Sequence, residues 1–228
     1  MARKKISRKE MLKRPDEFMT LSSKAINYFK GHKRLFNNLG MALFGLIIIY
    51  LGIYAYTKYI NKKGQEAFNT AYYYMINNTA SDESEADMKK TEELFDKVRE
   101  DYSLSKAARL ALPELAYSKF EQQQYNEAIA EYEEYLSKIT ENDPYISLVR
   151  LSLSTCYEQK GEYDKAIEPL QEIMKGPDDF IKEQAMLNLA RVYRLDNKPD
   201  KSNETLAQFK EKFPNSIFLD LAESLQES

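Results

Sequence analysis

The chain has 228 residues, 43% hydrophobic and 30% charged, with one histidine and one cysteine. A lone cysteine excludes a disulfide framework within the chain. The formal net charge of −3 conceals a division, since the first 38 residues balance to +8 and those after residue 57 to −11.

Residues 1–38 form a basic arm holding eleven Lys or Arg residues against Glu10, Asp16 and Glu17. Met1 to Arg14 has too little apolar content to pack a core, and disorder is the expectation there. From Pro15 onward a helix is expected: proline suits a first helical turn, and Asp16 and Glu17 complement the helix dipole. Phe18, Leu21, Ala25, Phe29 and Phe36 recur at roughly helical spacing, with Lys24, Lys30, Lys33 and Arg34 as the charged side. Two accounts fit this pattern: an amphipathic helix on an anionic leaflet, and a bare positive-inside signal without ordered structure. Membrane attachment explains the bases without recourse to nucleic acid.

Leu39 to Thr57, LGMALFGLIIIYLGIYAYT, is an uncharged run of 19 residues, near the ~20 that cross a bilayer core as a helix. It lacks a polar face, and Tyr50, Tyr54, Tyr56 and Tyr59 crowd its C-terminal end as interfacial tyrosines do. A cleaved signal fits poorly. The run is preceded by 38 residues and is longer than a signal's apolar region, and Ala55-Tyr56-Thr57 is a poor cleavage site. An uncleaved single span is expected. The preceding bases place the arm in the cytoplasm and the remaining domain outside, although Lys58, Lys62 and Lys63 soften the contrast. Cys156 has no intrachain partner for an oxidising compartment to join to it.

Residues 58–228 are long enough for one sizeable core and read as all-α. After Gly64 there are only two glycines, Gly161 and Gly176, and apolar residues recur every three or four positions between short polar turns. The segments repeat. Leu115-Ala116 leads to Tyr125 and Ala128, Leu153-Ser154 to Tyr163 and Ala166, and Leu189-Ala190 to Pro199 and Ser202 at the same intervals. Ala128, Ala166 and Ser202 stand 38 and 36 residues apart, close to a period of ~34 known for helix-turn-helix repeats.

Leu153, Ser154, Tyr157, Gly161, Tyr163 and Ala166 together resemble the tetratricopeptide consensus. That resemblance implies paired helices brought close by small residues, with tyrosines filling the space between and glycine allowing the turn. The first repeat has Gln123 at the turn; the third keeps Tyr193 and has Pro214 after its second helix. Tyr135, Ile173 and Phe209 stand where the family prefers alanine, and Pro113 and Pro169 fall within helices, where kinks are expected. A degenerate earlier repeat is expected from Ala67, Ala71 and Tyr74 in one helix and Thr91, Phe95 and Val98 in the next, with Asn77 to Asp87 as a long polar loop. A last helix carrying Ile217, Leu221 and Leu225, capped by Ser216, would cover the flank of the final repeat.

Catalytic chemistry is not visible. There is no Gly-rich phosphate loop, paired-cysteine metal site or nucleophile turn. His32 lies in the basic arm, Cys156 falls on a packing helix as a buried thiol, and Glu131, Glu133 and Glu134 read as a solvated face. A non-enzymatic protein without a cofactor is expected. In such a solenoid the first helix of each pair lines a concave surface. Projected onto that arrangement, Leu110, Tyr117, Phe120, Leu148, Leu151, Leu187, Arg191 and Arg194 turn toward the hollow, an apolar groove with a basic end. Helical spacing alone does not separate groove from core. The carboxylate clamp of tetratricopeptide proteins that bind chaperone tails is not reproduced; Asn188 alone fits its pattern.

A basic arm, one span and divergent tetratricopeptide repeats, in that order, resemble the YfgM-like proteins of bacterial inner membranes. The resemblance implies a periplasmic domain that binds proteins or peptides, associated with the Sec translocon and a membrane-anchored prolyl isomerase chaperone. The function expected is a translocon-associated scaffold or co-chaperone. The alternative is a structural assembly factor that organises an envelope complex, and a cytosolic repeat domain is a third arrangement.

Overall fold

The computed structural model describes residues 17–79, 85–176 and 179–227, and helix is the only regular secondary structure among them. The expected disorder of Met1 to Arg14, and the roles of Pro15 and Asp16, lie outside the described residues. The chain divides into two compact units, Met1–Tyr56 and Thr57–Ser228.

In the first unit, α1 (Glu17–Gly31) is followed after His32 by α2 (Lys33–Thr79). Helical hydrogen bonding continues across His32, whose N–H donates to the Tyr28 carbonyl (3.0 Å) while its own carbonyl accepts from Phe36 (3.1 Å). The Phe29 and Phe36 rings meet at 4.0 Å. Residues 17–31 are thus helical. Among the described residues, α2 alone is long and apolar enough to cross a membrane, by length and composition. The side chains of its apolar run are unburied by protein, Leu43, Phe44, Ile48 and Leu51 all being more than half exposed.

The second unit begins within α2 and continues as α3 (Glu85–Asp101), α4 (Lys106–Glu121), α5 (Tyr125–Ser137), α6 (Ile146–Gln159), α7 (Tyr163–Met174), α8 (Asp179–Leu195), α9 (Pro199–Lys212) and α10 (Leu219–Glu227). Consecutive helices from α3 to α10 pack on one another in chain order. The core is accordingly a row of four apolar clusters. The first joins α2, α3 and α4 through Ala71, Phe95 and Leu115, and the second α4, α5 and α6 through Leu112, Tyr132 and Leu153. The third joins α7 and α8 through Leu170 and Val192, and the fourth α8, α9 and α10 through Ala190, Phe209 and Ala222.

Small residues set the pairing. Ala116, Ser154 and Ala190 on the first helices, and Ala128, Ala166 and Ser202 on the second, are all buried to within 2%. The Ser154 hydroxyl donates to the Ala166 carbonyl at 2.7 Å, so its polar atom is satisfied inside the contact. Tyr135, Ile173 and Phe209, the bulky departures from alanine, are likewise buried, and the Tyr135 hydroxyl donates to Asp143 at 2.8 Å.

Three turns of three residues join α4 to α5, α6 to α7 and α8 to α9, and each contains one left-handed residue: Gln123 (φ 61°), Gly161 (φ 72°) and Asn197 (φ 54°). The residue after each donates its N–H five residues back, Gln124 to Lys119 (2.9 Å), Glu162 to Tyr157 (2.9 Å) and Lys198 to Tyr193 (2.8 Å), which closes the helix end as a Schellman motif. Glu127, Asp164 and Asp200 then complement the dipoles of the following helices. Both α4 and α7 continue through their prolines, Pro113 and Pro169.

One close approach ties α2 to α4. Ser105 caps α4, its Oγ accepting from Ala108 N–H at 3.0 Å, and Asn61 of α2 accepts from Lys106 N–H at 2.8 Å. Gly64 faces the same spot: a Cβ there would stand 2.5 Å from Ser105 Oγ, 2.9 Å from its Cβ and 3.2 Å from Tyr102 Cβ.

Three expectations require correction. The loop foreseen over Asn77 to Asp87 is shorter, because α2 runs to Thr79 and α3 begins at Glu85; residues 80–84 lie outside the described residues. Tyr74 hydroxyl donates to Asp87 at 2.9 Å and helps hold the two helices. Glu131 is not on a solvated face. It is buried between α3 and α4, taking Arg99 at 3.0 Å and Lys119 at 2.9 Å, whereas Glu133 is exposed and accepts from the Tyr157 hydroxyl at 2.6 Å. At the C-terminus Ser216 Oγ does accept from Phe218 N–H (3.1 Å), and it donates to Glu183. Ile217, however, is 83% exposed and precedes α10; Ala222, Phe218, Leu219 and Leu225 cover the last pair instead.

Candidate functional site

The first helices of three successive pairs, α2, α4 and α6, contribute the walls of a groove within the second unit. Leu110, Pro113, Glu114 and Tyr117 recur at three- and four-residue spacing along α4 and so share a face. Opposite them stand Phe68 and Tyr72 of α2, four residues apart with rings stacked at 6.0 Å. The far wall is Tyr145 with Leu148 and Ser152 of α6, and Tyr132 of α5 closes the floor. The space enclosed is about 490 Å³, within the range of ~300–1,000 Å³ usual for binding clefts. Tyr117, Tyr145 and Leu148 are 44%, 49% and 49% exposed, so three large apolar side chains meet solvent at the rim.

Of the residues projected from sequence, Leu110, Tyr117 and Leu148 therefore come together in one groove. Phe120 lines a smaller adjoining hollow with Tyr117, Tyr132 and Thr155 and rests against Tyr125 at 5.5 Å. Leu151 packs against the α7–α8 cluster, and Leu187 is buried with Leu206 and Phe209. Neither of them lines this groove. Arg191 on α8 pairs with Glu158 of α6 at 2.9 Å and donates to Asn188 at 3.2 Å, so its charge is matched within the repeats. Burial raises the Glu158 carboxyl above its usual value and Arg191 opposes that shift. Arg194 is half-buried on the same helix. Arg191 and Arg194 do not line this groove; the ionisable carboxyl in its wall is Glu114.

Projection from sequence omitted Phe68, Tyr72, Glu114 and Tyr145. A signal for the first two was present: Ala67 and Ala71 mark the packed face of the degenerate repeat, and the next residue along from each turns toward the neighbouring first helix. Burial holds the Glu114 carboxyl above the ordinary carboxylate value. Burial also raises the Tyr132 phenol, which stands near Ser152 and Glu114. Cys156 behaves as a packing residue. It is wholly buried in the α4–α6 cluster, and burial pushes its thiol up to about 11.

Comparison with known proteins agrees with the repeat fold. The family described as a tetratricopeptide repeat-like domain matches residues 33–176, and the tetratricopeptide repeat matches residues 184–216. Among solved structures, a tetratricopeptide repeat protein from Parabacteroides merdae is 16% identical with a TM-score of 0.59, over 73% of this chain and 59% of that one. The kinesin light chain-like repeats of Podosopora anserina are 15% identical with a TM-score of 0.56, over 73% of this chain and 84% of theirs. At such identities the likeness concerns the fold alone. No curated protein sequence matches the chain. The family match alone spans more than half of the sequence, the repeats imply a scaffold for protein–protein interaction, and the chain belongs to the tetratricopeptide repeat-like family.

Proposed function

We propose that the protein is a membrane-tethered scaffold whose repeat domain, outside the cytoplasm, holds polypeptide segments in the groove of Leu110, Tyr117 and Leu148. The observation that carries this reading is an open, aromatic-walled groove on first-helix faces, in a domain whose family match begins at residue 33, ahead of the apolar run. Residues 1–38 then serve as the cytoplasmic arm, 39–57 as the span and 58–228 as the binding domain. The excess of bases before the span supports that orientation. In keeping with the YfgM-like arrangement, the partners are exported polypeptides beside the Sec translocon of a bacterial inner membrane, together with a periplasmic prolyl isomerase chaperone.

A photo-crosslinking residue at Tyr145, on the rim, tests this in intact membranes. Recovery of translocon subunits and exported chains is expected. Recovery of only a fixed envelope assembly would replace the co-chaperone with a structural assembly factor. A reporter active only outside the cytoplasm should work when fused after Ser228 and fail when fused at Met1; the opposite pattern ends the periplasmic reading.

A further inference from the structure

We propose that the groove selects segments carrying a lysine or arginine, whose cation pairs with Glu114 between aromatic side chains; this rests on the groove being the binding surface. Glu114 projects from the middle of the α4 face, between Leu110 one turn before it and Tyr117 one turn after. Its carboxyl makes no hydrogen bond or ion pair among the described residues, whereas Glu131 and Glu158, also withdrawn from water, each have a cation within 3.0 Å. The facing walls offer no such partner, since α2 contributes Gln65, Phe68 and Tyr72 and α6 contributes Leu148 and Ser152.

A carboxylate drawn out of water without a counter-charge is costly, and a cation delivered by a ligand removes that cost. The environment is also suited to the rest of a basic side chain. Aliphatic stems of Lys and Arg lie well along Leu110 and Leu148, and the faces of Tyr117, Tyr132 and Tyr145 attract a cation that enters the groove. After residue 57 the sequence balances to −11, which steers basic segments toward the domain. The ligand thus defined is a peptide segment with one buried basic residue flanked by apolar or aromatic neighbours.

The test is selection of a random 12-residue display library against the full chain in nanodiscs, with empty nanodiscs subtracted. Selected peptides should be enriched in a central Lys or Arg with apolar neighbours. A synthetic peptide from that pool should lose about tenfold or more in affinity when its base becomes Gln, or when the protein carries Glu114→Gln. Glu114→Lys should prefer the same peptide with Glu in place of the base. Thermal unfolding of Glu114→Gln should be unchanged or higher, because it removes an uncompensated charge. Peptides weakened by Tyr117→Ala and Leu148→Ser but indifferent to Glu114→Gln would overturn the charge proposal and leave the groove standing. Peptides indifferent to all three variants would overturn both.

Discussion

Gly64→Ala is the sharpest test of how α2 is held against α4. Within a helix the exchange removes backbone freedom from the unfolded chain, and on propensity alone it should stabilise by about 1 kcal/mol. The structure predicts the opposite sign. The new methyl would lie 2.9 Å from Ser105 Cβ and 3.2 Å from Tyr102 Cβ, well inside the ~3.5–4.0 Å at which carbon atoms attract. Both neighbours are Cβ atoms fixed to the backbone, so relief requires the helices to move apart. Such overpacking costs about 1–3 kcal/mol. Displacing Ser105 Oγ, 2.5 Å from the methyl, also endangers the α4 cap, worth about 1 kcal/mol. The net is a loss of about 1–3 kcal/mol, or roughly 2–12 °C in Tm for a domain of this size. Thermal unfolding of the detergent-solubilised chain, followed by circular dichroism, measures it. A cycle with Ser105→Gly adds a second reading: with both Ser105 atoms gone, the double variant should be more stable than the sum of the single losses, by about 1 kcal/mol or more. A higher Tm for Gly64→Ala, or additivity in the cycle, would refute the close-approach argument.

The three turns make a paired prediction: Gln123→Gly should stabilise by about 0.5–1 kcal/mol in urea unfolding, and Gly161→Ala should cost about 1–2 kcal/mol despite open space around the new methyl. Glu131→Gln should cost about 1–3 kcal/mol by leaving Arg99 and Lys119 without their shared negative charge, and Glu133→Gln, on an exposed carboxylate, should cost less. Cys156, with its thiol raised from 9.0 to about 11, should resist alkylation at pH 8 in the folded chain and react on unfolding. The same shift has a sign for stability. The neutral thiol is favoured in the folded state, so its contribution is present below pH 9 and is lost as pH rises toward 11.

Much of this architecture is legible in sequence because it rests on small residues at fixed intervals. Ala116, Ser154 and Ala190 can be aligned by eye, and each proves to be a point where two helices touch. The left-handed turns were only partly legible: glycine marks one of them, while Gln123 and Asn197 reach the same backbone conformation without it. For the groove, spacing identified a face but not its depth. Leu187 and Leu148 follow the same helical logic, yet one is 6% and the other 49% exposed, because the final repeat is covered by α10 and the middle repeats are not. Glu131 was misread for a related reason. A charged residue on a helix reads as solvated unless the bases that meet it are known, and Arg99 and Lys119 come from two other helices.

The partition of the core into four clusters bears on how damage spreads. In a domain with one central core, a lesion anywhere weakens everything at once. Here each cluster draws on only two or three successive helices, so the loss of one interface is felt mainly by its immediate neighbours. The last pair is closed by the nine-residue α10 alone, so local opening there is expected to leave the walls around Glu114 in register. A yielding end beside a steady middle would let the proposed scaffold keep its hold on one chain while its outer helices are jostled by others.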